Sequence, residues 1–146
     1  MRYPSRLSHR VAVLFQILCL TSLLAIPATV ANADQALDAR LLQAKNGKRA
    51  VMLELGSVGC IPCEQMRPVM EKLSNAYKDR LDVIFVDVRK DGNAARKFGV
   101  YGIPAQVFLD KNGKEFHRHI GYYPYEQIVL ILKKADIQLR PVAKKE

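Results

Sequence analysis

The chain has 146 residues, a formal net charge of +9 and three cysteines. That length suits one domain. The basic residues are scattered, with only doublets such as Lys133-Lys134 and Lys144-Lys145, and no aromatic-interleaved stripe tracks a phosphate backbone, which argues against nucleic acid as a partner.

The first ten residues carry Arg2, Arg6 and Arg10 and no acid; an uncharged stretch from Val11 to Ile26 follows, then Pro27 and Ala31-Asn32-Ala33. Basic, apolar and small-x-small segments in that order make a secretory signal, expected to be cleaved after Ala33. The alternative is an uncleaved anchor, since the uncharged span up to Ala33 is long enough to cross a bilayer. Either way the remainder is expected outside the cytoplasm. Removing the three arginines lowers the net charge from +9 to +6. Cys19 leaves with the signal, and Gln16-Ile17-Leu18 before it is no lipoprotein cleavage site. The mature chain then keeps Cys60 and Cys63 alone. A disulfide-scaffolded domain carries more cysteines at longer spacings. A bridge across two residues also closes too small a loop to stabilise by chain entropy.

Gln35 to Asn46 is predicted as a helix stopped by Gly47, with Leu37, Leu41 and Ala44 at helical spacing. Arg49 to Leu55 is a predicted strand, apolar apart from Glu54 within it. After Cys60-Ile61-Pro62-Cys63, the residues Met66, Val69, Met70, Leu73 and Tyr77 mark one face of a helix. Pro68 lies inside that helix and is expected to kink it. Asp82 to Val88 is a second buried strand, Asn93 to Phe98 a short helix, and Ala105 to Leu109 a third strand. Asp110 to Gly113 is a hairpin turn in which Asn112-Gly113 supplies positive φ angles. Lys114 to Ile120 returns, and a helix from about Tyr125 to Ala135 buries Ile128, Ile131, Leu132 and Ala135. The tail, residues 138–146, is polar. The order is α-β-α-β-α-β-β-α. Strands joined through helices are expected parallel, and the last hairpin antiparallel.

Cys60 and Cys63 sit where a strand ends and a helix begins. N–H groups and the dipole of a helix's first turn favour negative charge there, so a thiol is shifted toward thiolate. Pro62 fits the first turn, where its missing N–H goes unneeded. Strand alternation leaves Glu54 open: it faces either solvent or the core, and in a core its carboxyl must be protonated. His117 and His119 alternate along one strand at no familiar zinc spacing and are expected as surface residues, so no metal site is expected.

The strand order, Gly59-Cys60-Ile61-Pro62-Cys63, the segment Phe98-Gly99-Val100-Tyr101-Gly102-Ile103-Pro104, and Lys111-Asn112-Gly113 with Ile120-Gly121 beyond it together resemble the thioredoxin superfamily. The likeness spans nearly all of residues 34–136. It implies a thioredoxin fold, α/β with a mixed central sheet and helices on both faces, over residues 34–137. The chain departs from thioredoxin itself at Gly59, where a tryptophan is usual, at Ile61, and at Glu54, where an aspartate is usual. With the export signal, these features look more like periplasmic thioredoxin-related proteins.

The resemblance implies roles. Cys60 is the nucleophile, Cys63 the resolving thiol, and Glu54 the acid that relays the Cys63 proton. Gly59, Ile61 and Pro62, a cis-Pro104 with Ile103, and Gly121 face an extended partner segment. Without the resemblance, base rates argue against a cis bond, and a trans Pro104 merely starting an edge strand is the alternative. Some of Tyr122, Tyr123 and Tyr125 are candidates for the partner surface. No cofactor is expected beyond the redox-active Cys60–Cys63 disulfide. The expected activity is exported thiol–disulfide oxidoreduction by a monomer. The uncharged Ile61-Pro62 pair leans it toward reduction of exported proteins or apocytochromes, with electrons from a membrane conduit of the DsbD or CcdA type. The alternatives are a Cu(I) metallochaperone, an oxidant or isomerase of the same fold, or a non-catalytic adaptor.

Overall fold

The computed structural model describes residues 33–137; the expected signal, apart from Ala33, and the polar tail lie outside the described residues. The elements are α1 (Ala33–Asn46), β1 (Ala50–Gly56), α2 (Ile61–Ala76), β2 (Leu81–Asp87), α3 (Gly92–Lys97), β3 (Ala105–Leu109), β4 (Glu115–Ile120) and α4 (Tyr125–Lys134). The four strands form one sheet in the order β2-β1-β3-β4. Among the described residues no helix is long and apolar enough to cross a membrane.

β1 is the central strand and is buried along its whole length. Its alternate residues serve two cores. Met52 packs with Met66, Val69 and Leu73 of α2, Phe108 of β3, and Ile128 and Leu132 of α4. Val51, Leu53 and Leu55 pack with Leu37 and Ala44 of α1, Ile84 and Val86 of β2, and Ala94 of α3. Helices therefore cover both faces of the sheet.

One expectation is corrected. β2 runs parallel to β1, but β3 runs antiparallel to it although a helix joins β2 to β3. A connection that returns the chain to a strand's starting end has to run the length of the sheet. A seven-residue strand spans about 23 Å, whereas the six residues of α3 rise about 9 Å. The chain instead re-enters from the end where β2 left off. Ala105, the first residue of β3, pairs with Leu55 near the end of β1.

Local chemistry sets the other joints. Asp91 caps α3 by accepting from the Ala94 N–H at 2.9 Å. The β3–β4 turn is held by the Asp110 carboxylate, which accepts from Asn112 N at 2.8 Å and Lys114 N at 2.9 Å. Only Gly113 there takes a positive φ, of 83°, not Asn112 as well. Helix α2 continues through Pro68.

Candidate active site

β1 ends at Gly56, and Ser57, Val58 and Gly59 carry the chain to α2. Gly59 turns with a φ of 80°, and Cys60 takes the N-cap position of α2 in extended geometry. The Cys60 N–H donates to the Ser57 carbonyl at 3.4 Å, and Glu64 N donates to the Cys60 carbonyl at 3.0 Å. Pro62 falls in the first turn of the helix. Cys60 and Cys63 are joined in a disulfide, with Cα atoms 5.2 Å apart. Cys60 is half-buried, whereas Cys63 is only 4% exposed. The pair thus has one accessible sulfur at the positive end of a 16-residue helix and one sulfur behind it.

Glu54 lies two residues before Gly56 on the face of β1 that α2 covers, and it is fully buried. The solvent-facing alternative is overturned because α2 closes over this face while α1 and α3 cover the other. Neither carboxyl oxygen finds a hydrogen-bond partner. Burial pushes the Glu54 carboxyl up to about 8, and the amide of Gln106, opposite it on β3, draws it down only in part. Gln106 directs its amide nitrogen to the Gly121 carbonyl, 3.1 Å away. At neutral pH Glu54 is mostly protonated, with a proton affinity close to that of an ordinary thiol, whose pKa is about 8.5.

Pro104 immediately precedes β3 and is buried, Ile103 is half-buried, and the peptide bond between them is cis. The pairing of Ala105 with Leu55 places Pro104 at the sheet end from which the Ser57–Gly59 loop leaves. The Gly121 N–H donates to the Pro104 carbonyl at 2.7 Å. Gly121 has a φ of 99°, and a Cβ there would meet no atom within 4 Å. Conformation, not close approach, is what this position requires. Val58, Ile61, Tyr101 and Tyr122 are exposed large apolar residues around these loops.

The histidines differ from the expected surface pair. His117 is half-buried, and its Nε2 lies 3.0 Å from the Tyr123 hydroxyl. His119 stacks on Tyr123 with centroids 4.0 Å apart. Tyr123 is buried and donates its backbone N–H to Met66 Sδ. Tyr125 lies beneath Lys72 Nζ, 3.8 Å from the ring centroid.

Two residues near the dithiol escaped sequence reasoning. A Cβ at Gly56 would sit 3.2 Å from Cys63 Sγ. Ser57 is buried, with its hydroxyl unpartnered. A glycine closing a buried strand and a serine three residues before a reactive cysteine were the available signals.

The thioredoxin-like domain family matches residues 37–136. Thioredoxin from Alicyclobacillus acidocaldarius subsp. acidocaldarius is 33% identical over 91 residues, covering 62% of this chain and 86% of its own. Thioredoxin from Bacillus subtilis (strain 168) is 29% identical over a stretch of the same length. The crystal structure of the thioredoxin NaTrxh from Nicotiana alata matches 68% of this chain and 84% of its own, with a TM-score of 0.59 at 24% identity. A poplar thioredoxin h matches 70% of this chain and 90% of its own, with a TM-score of 0.61 at 22% identity. These two structural likenesses concern the fold.

Proposed function

Because the chain belongs to the thioredoxin-like domain family and is a thiol–disulfide oxidoreductase, we propose that it works outside the cytoplasm as a reductant of protein disulfides. The observation that carries this reading is the unequal exposure of the two sulfurs at the start of α2. The Cys60 thiolate attacks one sulfur of the partner's disulfide, and the other leaves as a thiolate. Cys63, deprotonated, then attacks Cys60 Sγ, which closes the Cys60–Cys63 bond and frees the partner with two more electrons. Glu54 exchanges the Cys63 proton, a transfer nearly balanced in energy because its pKa of about 8 lies close to a thiol's. Gly59, Ile61 and Pro62 flank Cys60 in the chain, and with Ile103, Pro104 and Gly121 at the same end of the sheet they serve as the docking edge for an extended segment. Exposed Val58 and Tyr101 favour apolar side chains in that segment.

Reduction is favoured over oxidation because neither Ile61 nor Pro62 offers a charge or imidazole to stabilise the Cys60 thiolate. The basic, apolar and small-residue order of the first 33 residues supports export. In an oxidising compartment the dithiol is recharged by a membrane electron conduit of the DsbD or CcdA type, and oxidised exported proteins or apocytochromes accept the electrons. The test is the reduction potential of the pair, with insulin reduction in dithiothreitol as the activity assay. A value near the −270 mV of thioredoxin, with turnover lost in Cys60→Ser, supports the reading. A potential above about −150 mV overturns it. Stoichiometric Cu(I) binding without turnover points to a metal carrier instead.

A further inference from the structure

A cavity of about 140 Å³ adjoins the inner sulfur, lined by Ser57, Cys63, Glu64, Arg67, Met70 and Phe85. Ser57 is 1% exposed, and its hydroxyl has no hydrogen-bond partner in this disulfide form. Buried hydroxyls are paired as a rule, so an orphan invites the question of when it is paired. The other walls offer little. Glu64 and Arg67 are engaged with each other, Arg67 Nε lying 2.6 Å from the Glu64 carboxylate. Met70 and Phe85 provide at most a weak thioether or a ring. Cys63 is the one wall residue whose hydrogen-bonding capacity changes with turnover. In the disulfide its sulfur is a weak acceptor. After reduction it is a thiol, able to donate and accept, or a thiolate, a strong acceptor.

We propose that the Ser57 hydroxyl is a positioning group for the dithiol form, hydrogen-bonding the Cys63 sulfur once the Cys60–Cys63 bond opens. Reduction breaks that bond with two electrons and two protons from two reductant thiols, which leave as a disulfide. Cys60 and Cys63 become thiols, and the Ser57 O–H turns its proton to the Cys63 sulfur, most strongly when that sulfur is ionised. The bond exists on one side of the couple only. It therefore stabilises the dithiol, raises the potential and lowers the Cys63 thiol pKa. None of this depends on which way electrons run in the cell.

The test is equilibration of the purified protein with glutathione redox buffers, comparing wild type, Ser57→Ala and Ser57→Thr. Ser57→Ala is expected to shift the equilibrium up to about tenfold toward the disulfide, or about 30 mV more negative. Its Cys63 thiol should titrate at higher pH in the reduced protein. Ser57→Thr, which keeps the hydroxyl, should return both values toward wild type. A merely structural serine would instead alter the unfolding of both redox forms alike and leave the potential in place. An unchanged potential and unchanged Cys63 titration in Ser57→Ala overturn the proposal. So does a folded Ser57→Thr protein that keeps the Ser57→Ala potential. Because the readout is the couple itself, this can fail while the reductase reading stands, and the reverse.

Discussion

A Cβ placed on Gly56 would lie 3.2 Å from Cys63 Sγ and 3.1 Å from Phe85 Cε2. The inner sulfur thus rests on a bare stretch of backbone at the end of β1. Phe85 is 40% exposed and can swing away, whereas Cys63 is pinned by its disulfide and its helix. Gly56→Ala should therefore cost about 1–3 kcal/mol, in the range of overpacked cores. Because the strain falls on Cys63, the loss should be larger in the disulfide form. Chemical denaturation of the oxidised and reduced proteins measures both.

Glu54 makes stability fall as pH rises. Its folded pKa, about 8, exceeds the ordinary 4.5. Between these values the folded state holds a proton that the unfolded state has released, so folding is progressively disfavoured across that window. The full effect is present below pH 4.5 and lost by about pH 8, and is on the order of 4 kcal/mol. Glu54→Gln should flatten the stability profile between pH 5 and pH 8 and leave the variant more stable than wild type at pH 8.5. Urea midpoints across that range provide the check.

What could be read from sequence was what repeats along one element. The apolar spacing of α2 and α4 and the turn residues at Gly47 and Gly113 placed the elements within a residue or two of their observed bounds. The reversal of β3 was not legible, because it turns on the shortness of α3 and on where the chain re-enters the sheet. The face of Glu54 was not legible from alternation either, and only the resemblance pointed to the core. β1 is buried on both sides, which erases the alternation that would have assigned it. The contacts of Gly56 and the isolation of the Ser57 hydroxyl exist only once α2 folds back over β1.

Arg49 and Asp82 clamp the start of β1 to the start of β2. Arg49 Nε lies 3.0 Å from both Asp82 oxygens, and Nη2 lies 2.9 Å from one of them. The side chains are 25% and 29% exposed, so solvent screens the pair only in part. Asp82 holds the Arg49 guanidinium pKa above its ordinary value. A fork of this geometry is worth more than a loose surface pair, and its coupling should reach about 1 kcal/mol. A double-mutant cycle with Arg49→Gln and Asp82→Asn isolates that figure, and a coupling indistinguishable from zero would leave the clamp with no energetic role.

His117 acts in the opposite pH direction from Glu54. Burial first, and then the nearby charge of His119, lower its pKa from the usual 6.5. The groups facing it are the Tyr123 hydroxyl, the His119 ring and the Phe108 ring, whose centroid is 5.6 Å away. None is an anion that would welcome an imidazolium. With the folded pKa below the unfolded one, the stabilising contribution is complete above pH 6.5 and fades as pH falls through the folded value. On acidification from pH 7 to pH 5, where Glu54 stabilises both proteins, wild type should therefore gain less stability than His117→Asn does. The asparagine variant starts lower at pH 7, having lost the ring contacts with Phe108 and Tyr123. The slope is the diagnostic quantity, not the starting value, and thermal midpoints at half-unit pH steps measure it. Parallel slopes in the two proteins would mean that His117 is already free to take up its proton in the folded state.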